Sequence, residues 1–170
     1  MHSLIGYCFA FAIGLSATTV LAEAQGTKAS QADEMFIKEA MEGDLAEVNM
    51  GKLAQDKAQS DGVKSFGKML EQDHGEHSQK VQSKAQELGV TLPQEPNTTQ
   101  KSMYDRLLSK HSGGQFDNQF AKAMVTDHKK DIAKYEKEAK SKGPLADFAK
   151  DTLPTLQHHL QTAEALEKQK

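Results

Sequence analysis

Only one cysteine is present, Cys8, and it lies inside an apolar stretch near the start of the chain. Loss of that stretch would leave no disulfide and no thiolate ligand even in an oxidising compartment, so stability must come from core packing. Tryptophan is absent and there are four prolines in 170 residues, while Ala, Lys, Gln and Glu abound, a balance that favours helices over strands. An excess of one charge is also missing: the formal net charge is −3 with both signs interspersed, and no basic patch recommends nucleic acid as a partner. The nucleophile motifs of hydrolases are missing too. There is no Gly-x-Ser-x-Gly, no phosphate loop and no His-Glu-x-x-His, and Asp73-His74-Gly75-Glu76-His77 spaces its histidines by three rather than four.

The one long hydrophobic run is Leu4 to Ala22, uncharged and diluted by Gly6, Gly14, Ser16, Thr18 and Thr19. Small residues close it, Val20-Leu21-Ala22 and then Ala22-Glu23-Ala24, as a signal-peptidase site requires. The usual positive start is missing, so an uncleaved membrane anchor is the alternative. Tyr7 before Cys8 is too large for a lipobox. The run therefore predicts a signal peptide over residues 1–24 with cleavage near 22 or 24, a flexible mature N-terminus over 25–32, and one helical domain over 33–168. The product would be periplasmic or secreted, without stable membrane insertion after cleavage. About 147 residues would remain, enough for one well-packed core.

Apolar residues recur every three or four positions in four long segments. The first, about Gln31 to Ala58, presents Phe36, Ala40, Gly43, Glu47, Met50 and Ala54 inward, with Ser30 as its cap. Ser60-Asp61-Gly62 breaks it, and the second carries Val63, Phe66, Leu70, His74, His77, Val81, Ala85 and Leu88 up to a Gly89 cap. A connection from Val90 to Gly114, with a short helix around Tyr104, Leu107 and Leu108, is long enough to cross the molecule and make the second and third helices parallel. The third, about Gln115 to Lys142, shows Phe116, Phe120, Met124, His128, Asp131, Tyr135 and Ala139. The fourth starts with Pro144 in its first turn and shows Leu145, Ala149, Thr152, Leu156, His159, Ala163 and Leu166. Pro154 inside it should produce a kink near Lys150. These features predict an all-α four-helix bundle with a long crossover between helices two and three. Phe66-x-Lys68-x-Leu70-x-x-Asp73-His74 also parallels Phe120-x-Lys122-x-Met124-x-x-Asp127-His128, which an internal duplication or chance heptad similarity would explain equally.

Polar residues interrupt the apolar stripes at matching depths. Glu47 and His74 stand 13 to 14 residues either side of the Ser60-Asp61-Gly62 turn, and His128 and His159 stand 15 to 16 either side of Gly143-Pro144. Antiparallel helices rising about 1.5 Å per residue would bring each pair to one level. One reading is a single transition metal (zinc, iron, copper or manganese) held by Glu47, His74, His128 and His159, with Asp73, His77, Asp127 and Asp131 orienting the rings. The other is a hydrogen-bonded network that fixes helix register without metal. His158 points away from this stripe and His111 lies in a loop. The methionines are dispersed as core filler, and Tyr104 and Tyr135 read as packing residues.

Glu47, Asp73-His74, Phe116-Asp117, His128 and Leu153-Pro154-Thr155-Leu156 ending in His159, in that order and spacing, resemble the bacterial family called domain of unknown function 4142, over about Asp33 to Leu166. The resemblance implies a ferritin-like four-helix bundle and export; the family's biochemical activity is not established. Ferritin-like di-iron sites use a Glu from each of two helices and Glu-x-x-His from each of the others. Here helix two offers His74-x-x-His77, helix three His128-x-x-Asp131, and helix four has Leu156 three residues before His159. That is too few carboxylates for a carboxylate-bridged di-iron centre. The expected role is accordingly a non-enzymatic exported bundle, in binding, stress tolerance or envelope maintenance, with a His/Glu polar core that is structural or binds a metal ion. A metal-dependent oxidoreductase is the alternative.

Overall fold

A computed structural model describes residues 29–110 and 113–169. The expectations for the signal peptide, the first half of the mature N-terminus (residues 25–28) and His111 fall outside these residues. Among the described residues there are five helices and no strands: α1 (Gln31–Lys57), α2 (Asp61–Leu88), α3 (Thr98–Leu108), α4 (Gly114–Ala139) and α5 (Ala146–Lys168). None is long and apolar enough to cross a membrane.

Local chemistry sets the boundaries. Ser30 and Asp33 form a reciprocal capping box in which each backbone N–H donates to the other residue's side chain at the start of α1. Ser60 caps α2, and the Asp117 carboxylate accepts from the backbone N–H groups of Gln59 and Ser60 at 3.0 and 2.8 Å, tying the start of α4 to the α1–α2 turn. Gly89 closes α2 at φ 67°, a left-handed conformation suited to glycine. Asn97 and Gln100 form a second capping box on α3, the short helix of the crossover.

The α4–α5 turn is longer than expected. Helix α4 ends at Ala139, not near Lys142, and α5 begins at Ala146, so Pro144 precedes the helix instead of occupying its first turn. Gly143 packs so closely on the start of α1 that a Cβ there would lie 2.8 Å from Asp33 Oδ1, and Leu145 is drawn wholly into the core. Docking these two residues takes the chain out of helical geometry. Beyond them α5 continues as one helix through Pro154.

Helix α1 packs mainly on α2 and α4 mainly on α5, and the two hairpins meet through α2–α5 and α1–α4. Gly62 at the start of α2 lies against Leu166 at the end of α5, and Gly113 before α4 accompanies Lys57 at the end of α1. Facing helices are therefore antiparallel, and α2 runs parallel to α4, as the long crossover predicts. Apolar side chains form two clusters. One holds Met50, Leu53, Phe66, Leu70, Phe116, Phe120 and Met124; the other holds Phe36, Ile37, Val81, Tyr135, Leu145 and Leu156. On every long helix the polar residues fall where one cluster gives way to the other.

Candidate metal centre

That boundary is a buried polar layer of Asp44, Glu47, His74, His128 and His159, the least buried of which is 6% exposed. One ring nitrogen of each of His74, His128 and His159 lies within 4.8 Å of one from each of the others. Ring centroids are 5.3 to 6.0 Å apart. Phe66 turns its ring toward His159 and His128 at 6.2 and 6.5 Å and closes this side with apolar surface.

The hydrogen bonds around the rings decide which nitrogens face inward. His128 Nδ1 lies 3.0 Å from the Met124 carbonyl, which only accepts, so the hydrogen is on Nδ1. His159 Nε2 lies 2.8 Å from Asp73 Oδ2, and His74 Nδ1 lies 2.9 Å from Asp44 Oδ1. Both imidazoles donate outward to these carboxylates. What remains on a neutral ring is a lone pair each on His74 Nε2, His128 Nε2 and His159 Nδ1. His128 Nε2 and His159 Nδ1 face each other at 3.3 Å with no hydrogen to share, and His74 Nε2 is buried without a partner. Protonation does not readily resolve this. Burial, aided by the neighbouring His74 and His159, pushes His128 down to about 3. Burial likewise pushes His159 down to about 4 against the opposing pull of Asp73.

The three lone pairs form a group that could hold a metal ion, their nitrogens all lying within 4.8 Å of one another. Nitrogens bound tetrahedrally at about 2.0–2.1 Å from zinc stand about 3.3–3.4 Å apart, which is the His128–His159 separation. Outward donation to a carboxylate or carbonyl is how protein imidazoles are oriented and made more basic as ligands. Neutral imidazoles suit zinc, copper, nickel or iron and are poor ligands for magnesium or calcium.

The sequence-predicted residues divide in three. His74, His128 and His159 converge, and Asp73 holds the His159 ring. His77 points to the far side of Asp44, with Nδ1 2.8 Å from Asp44 Oδ2 and Nε2 3.2 Å from Thr152 Oγ1. Glu47 lies outside the three-histidine group although fully buried, and no donor among the described residues reaches either of its oxygens. Its pKa is raised well above the usual carboxylate range, first by burial and then by the Asp127 charge. Asp127 acts on Glu47 through its charge. Asp131 sits 3.7 Å from Lys134, and burial, with the Asp127 charge, raises it to about 6.

Asp44 was absent from the predicted set, yet it holds both His74 and His77. Its signal was spacing: Ala40, Asp44, Glu47 steps by four and three, as well as the stripe through Gly43 does. The cleft beside the centre also needed the structure. It has a volume of about 620 Å³ and reaches His74 and His159 past Asp131, Tyr135 and Thr152. Burial, helped by Asp44 and Asp131, raises the Tyr135 phenol well above its ordinary pKa.

The model of the domain of unknown function (DUF4142) matches residues 18–166. The chain belongs to this family. The DUF4142 match covers α1, α2 and α4 entirely, α5 as far as Leu166, and every residue of the polar layer. No curated protein and no solved structure matches the chain.

Proposed function

We propose that this DUF4142 protein is an exported metal-binding protein that holds one transition-metal ion on His74, His128 and His159. The carrying observation is the convergence of three buried imidazole lone pairs whose outer nitrogens are already engaged. Three protein ligands leave a fourth position, and the cleft at His74 and His159 gives an ion or small ligand a route to it. In this reading the two hairpins form a ferritin-like four-helix bundle, and residues 1–24 direct export to the periplasm or outside the cell. The role is binding, in stress tolerance or envelope maintenance, without turnover. Metal analysis of protein purified without a histidine tag should show near-stoichiometric metal, abolished by joint His74→Gln and His128→Gln substitution with helical content retained. A metal-free preparation that takes up none of zinc, copper, iron or manganese would end the proposal.

The second reading, a metal-dependent oxidoreductase, is favoured by one observation: the cleft lined by His74 and His159 also contains a buried tyrosine, Tyr135. Oxygen consumption or peroxide turnover by the metal-loaded protein would support it over simple binding.

A further inference from the structure

The cleft beside the three histidines carries a charge pattern of its own. Eight carboxylates and three lysines line it. Two of those lysines are offset by carboxylates of the same wall, Lys134 by Glu39 at 2.9 Å and Lys84 by Glu87 at 2.8 Å. The excess of negative charge extends from the surface to the histidines. Asp147 and Asp151, one turn apart on α5, are exposed; Asp73 and Asp131 are half-buried; Asp44 is buried against His74. A row of acidic residues is not by itself a site, but this one ends on an unsatisfied donor atom. His74 Nε2 is buried without a partner, and the His74 and His159 rings both line the cleft. A second cavity of about 830 Å³, between α3 and the α1–α2 hairpin, is lined by none of the three histidines.

Resting on the assignment of these histidines as metal ligands, we propose that the cleft is a cation entry path that takes the metal as a hydrated divalent ion and steers it to His74 and His159. A low-dielectric cleft of one charge sign focuses its field and raises the arrival rate of opposite charges by about 10–10³-fold. Asp44 and Asp73 already accept from the His74 and His159 rings. Asp147 and Asp151 stand in water, where an attraction is too weak to hold the ion, so they set how fast it arrives more than how tightly it stays.

Cobalt(II) is the probe, because the four-coordinate ion absorbs visible light as it binds. It is mixed with the metal-free full chain in a stopped-flow instrument at about pH 7.5. At about 10 mM salt, the double variant Asp147→Asn/Asp151→Asn should take up cobalt about threefold more slowly or worse, and the difference should fade near about 0.2 M salt as the charges are screened. A control, Asp56→Asn/Asp105→Asn, removes two exposed charges from residues outside this cleft and should leave the rate unchanged. The final spectrum should be the same in all three proteins. An unchanged rate in the cleft variant, or equal slowing in the control, would overturn the entry path and leave the histidine centre standing. No cobalt spectrum in the unsubstituted protein would overturn the histidine centre and the path together.

Discussion

Glycine at two positions of one helix should respond to the same substitution in opposite directions. A Cβ built on Gly67 of α2 would lie 2.6 Å from the Gly51 carbonyl oxygen and 2.8 Å from Ala54 Cβ, both on α1. The reciprocal Cβ on Gly51 would lie 2.5 Å from the Gly67 oxygen, so α1 and α2 touch backbone to backbone here. Gly75, eight residues on, has open space where its Cβ would be. Helix propensity alone favours alanine over mid-helix glycine by about 0.5–1 kcal/mol at either position. At Gly75 nothing opposes that gain. At Gly67 the backbone atoms cannot step aside singly, so the hairpin must open at a cost of about 1–3 kcal/mol, which outweighs the gain in most of that range. The propensity gain is common to both, so the two variants should differ by the opening cost alone, about 1–3 kcal/mol, or roughly 3–12 °C in thermal midpoint for a domain of this size. Urea unfolding of Gly67→Ala and Gly75→Ala against the parent measures this directly. Gly67 lies seven residues from His74, about 10 Å along the helix, so opening the hairpin should also loosen the Asp44–His74 contact and weaken metal binding in Gly67→Ala alone. Equal stabilisation by both substitutions would refute the close-contact argument.

Asp44→Asn should lower affinity for the histidine-bound metal about 10–100-fold by weakening the orientation of His74, as isothermal titration with zinc would read. His128 and His159 have folded pKa values of about 3 and about 4, below the unfolded value near 6.5. The metal-free unfolded chain therefore takes up protons first, and each of these histidines should cost about 1.4 kcal/mol of stability per pH unit as pH falls from about 6.5 toward its folded value. Asp131, raised to about 6, works in the opposite sense: its ionised form disfavours the metal-free fold above pH 6, and protonation relieves this as pH falls toward 3.8. With its side chain 23% exposed, Asp131→Asn should stabilise metal-free protein by about 1–2 kcal/mol at pH 7.5 and by much less at pH 4.5, in paired urea titrations. Gly89→Ala should cost about 1 kcal/mol in the same assay, because a Cβ disfavours its φ of 67°.

Much of this arrangement is written in periodicity. Steps of three and four placed His74, His128 and His159 on inward stripes, and equal distances from two turns placed them at one depth. The α1–α2 turn made that estimate sound because Ser60 caps α2 directly. The α4–α5 turn was less legible: the burial of Leu145 and the contact of Gly143 with Asp33 are long-range effects that moved Pro144 outside the helix. Asp44 escaped because Gly43 and Asp44 fit the stripe equally by spacing, and the choice between adjacent positions depends on how α1 is rotated against α2. Asp127 follows the same rule from the other side. As the neighbour of His128 it read as a partner of that ring, yet its charge bears on Glu47. Spacing along one helix selects candidates, and only the packing of two helices decides which of them meet.

The central claim is that three imidazoles bind one ion. X-ray absorption at the zinc edge, on protein loaded with one equivalent of zinc, counts the imidazoles from their multiple-scattering pattern. Three nitrogen ligands at about 2.0–2.1 Å are expected, reduced to two in His159→Gln. A spectrum of oxygen ligands with one imidazole or none would contradict the assignment.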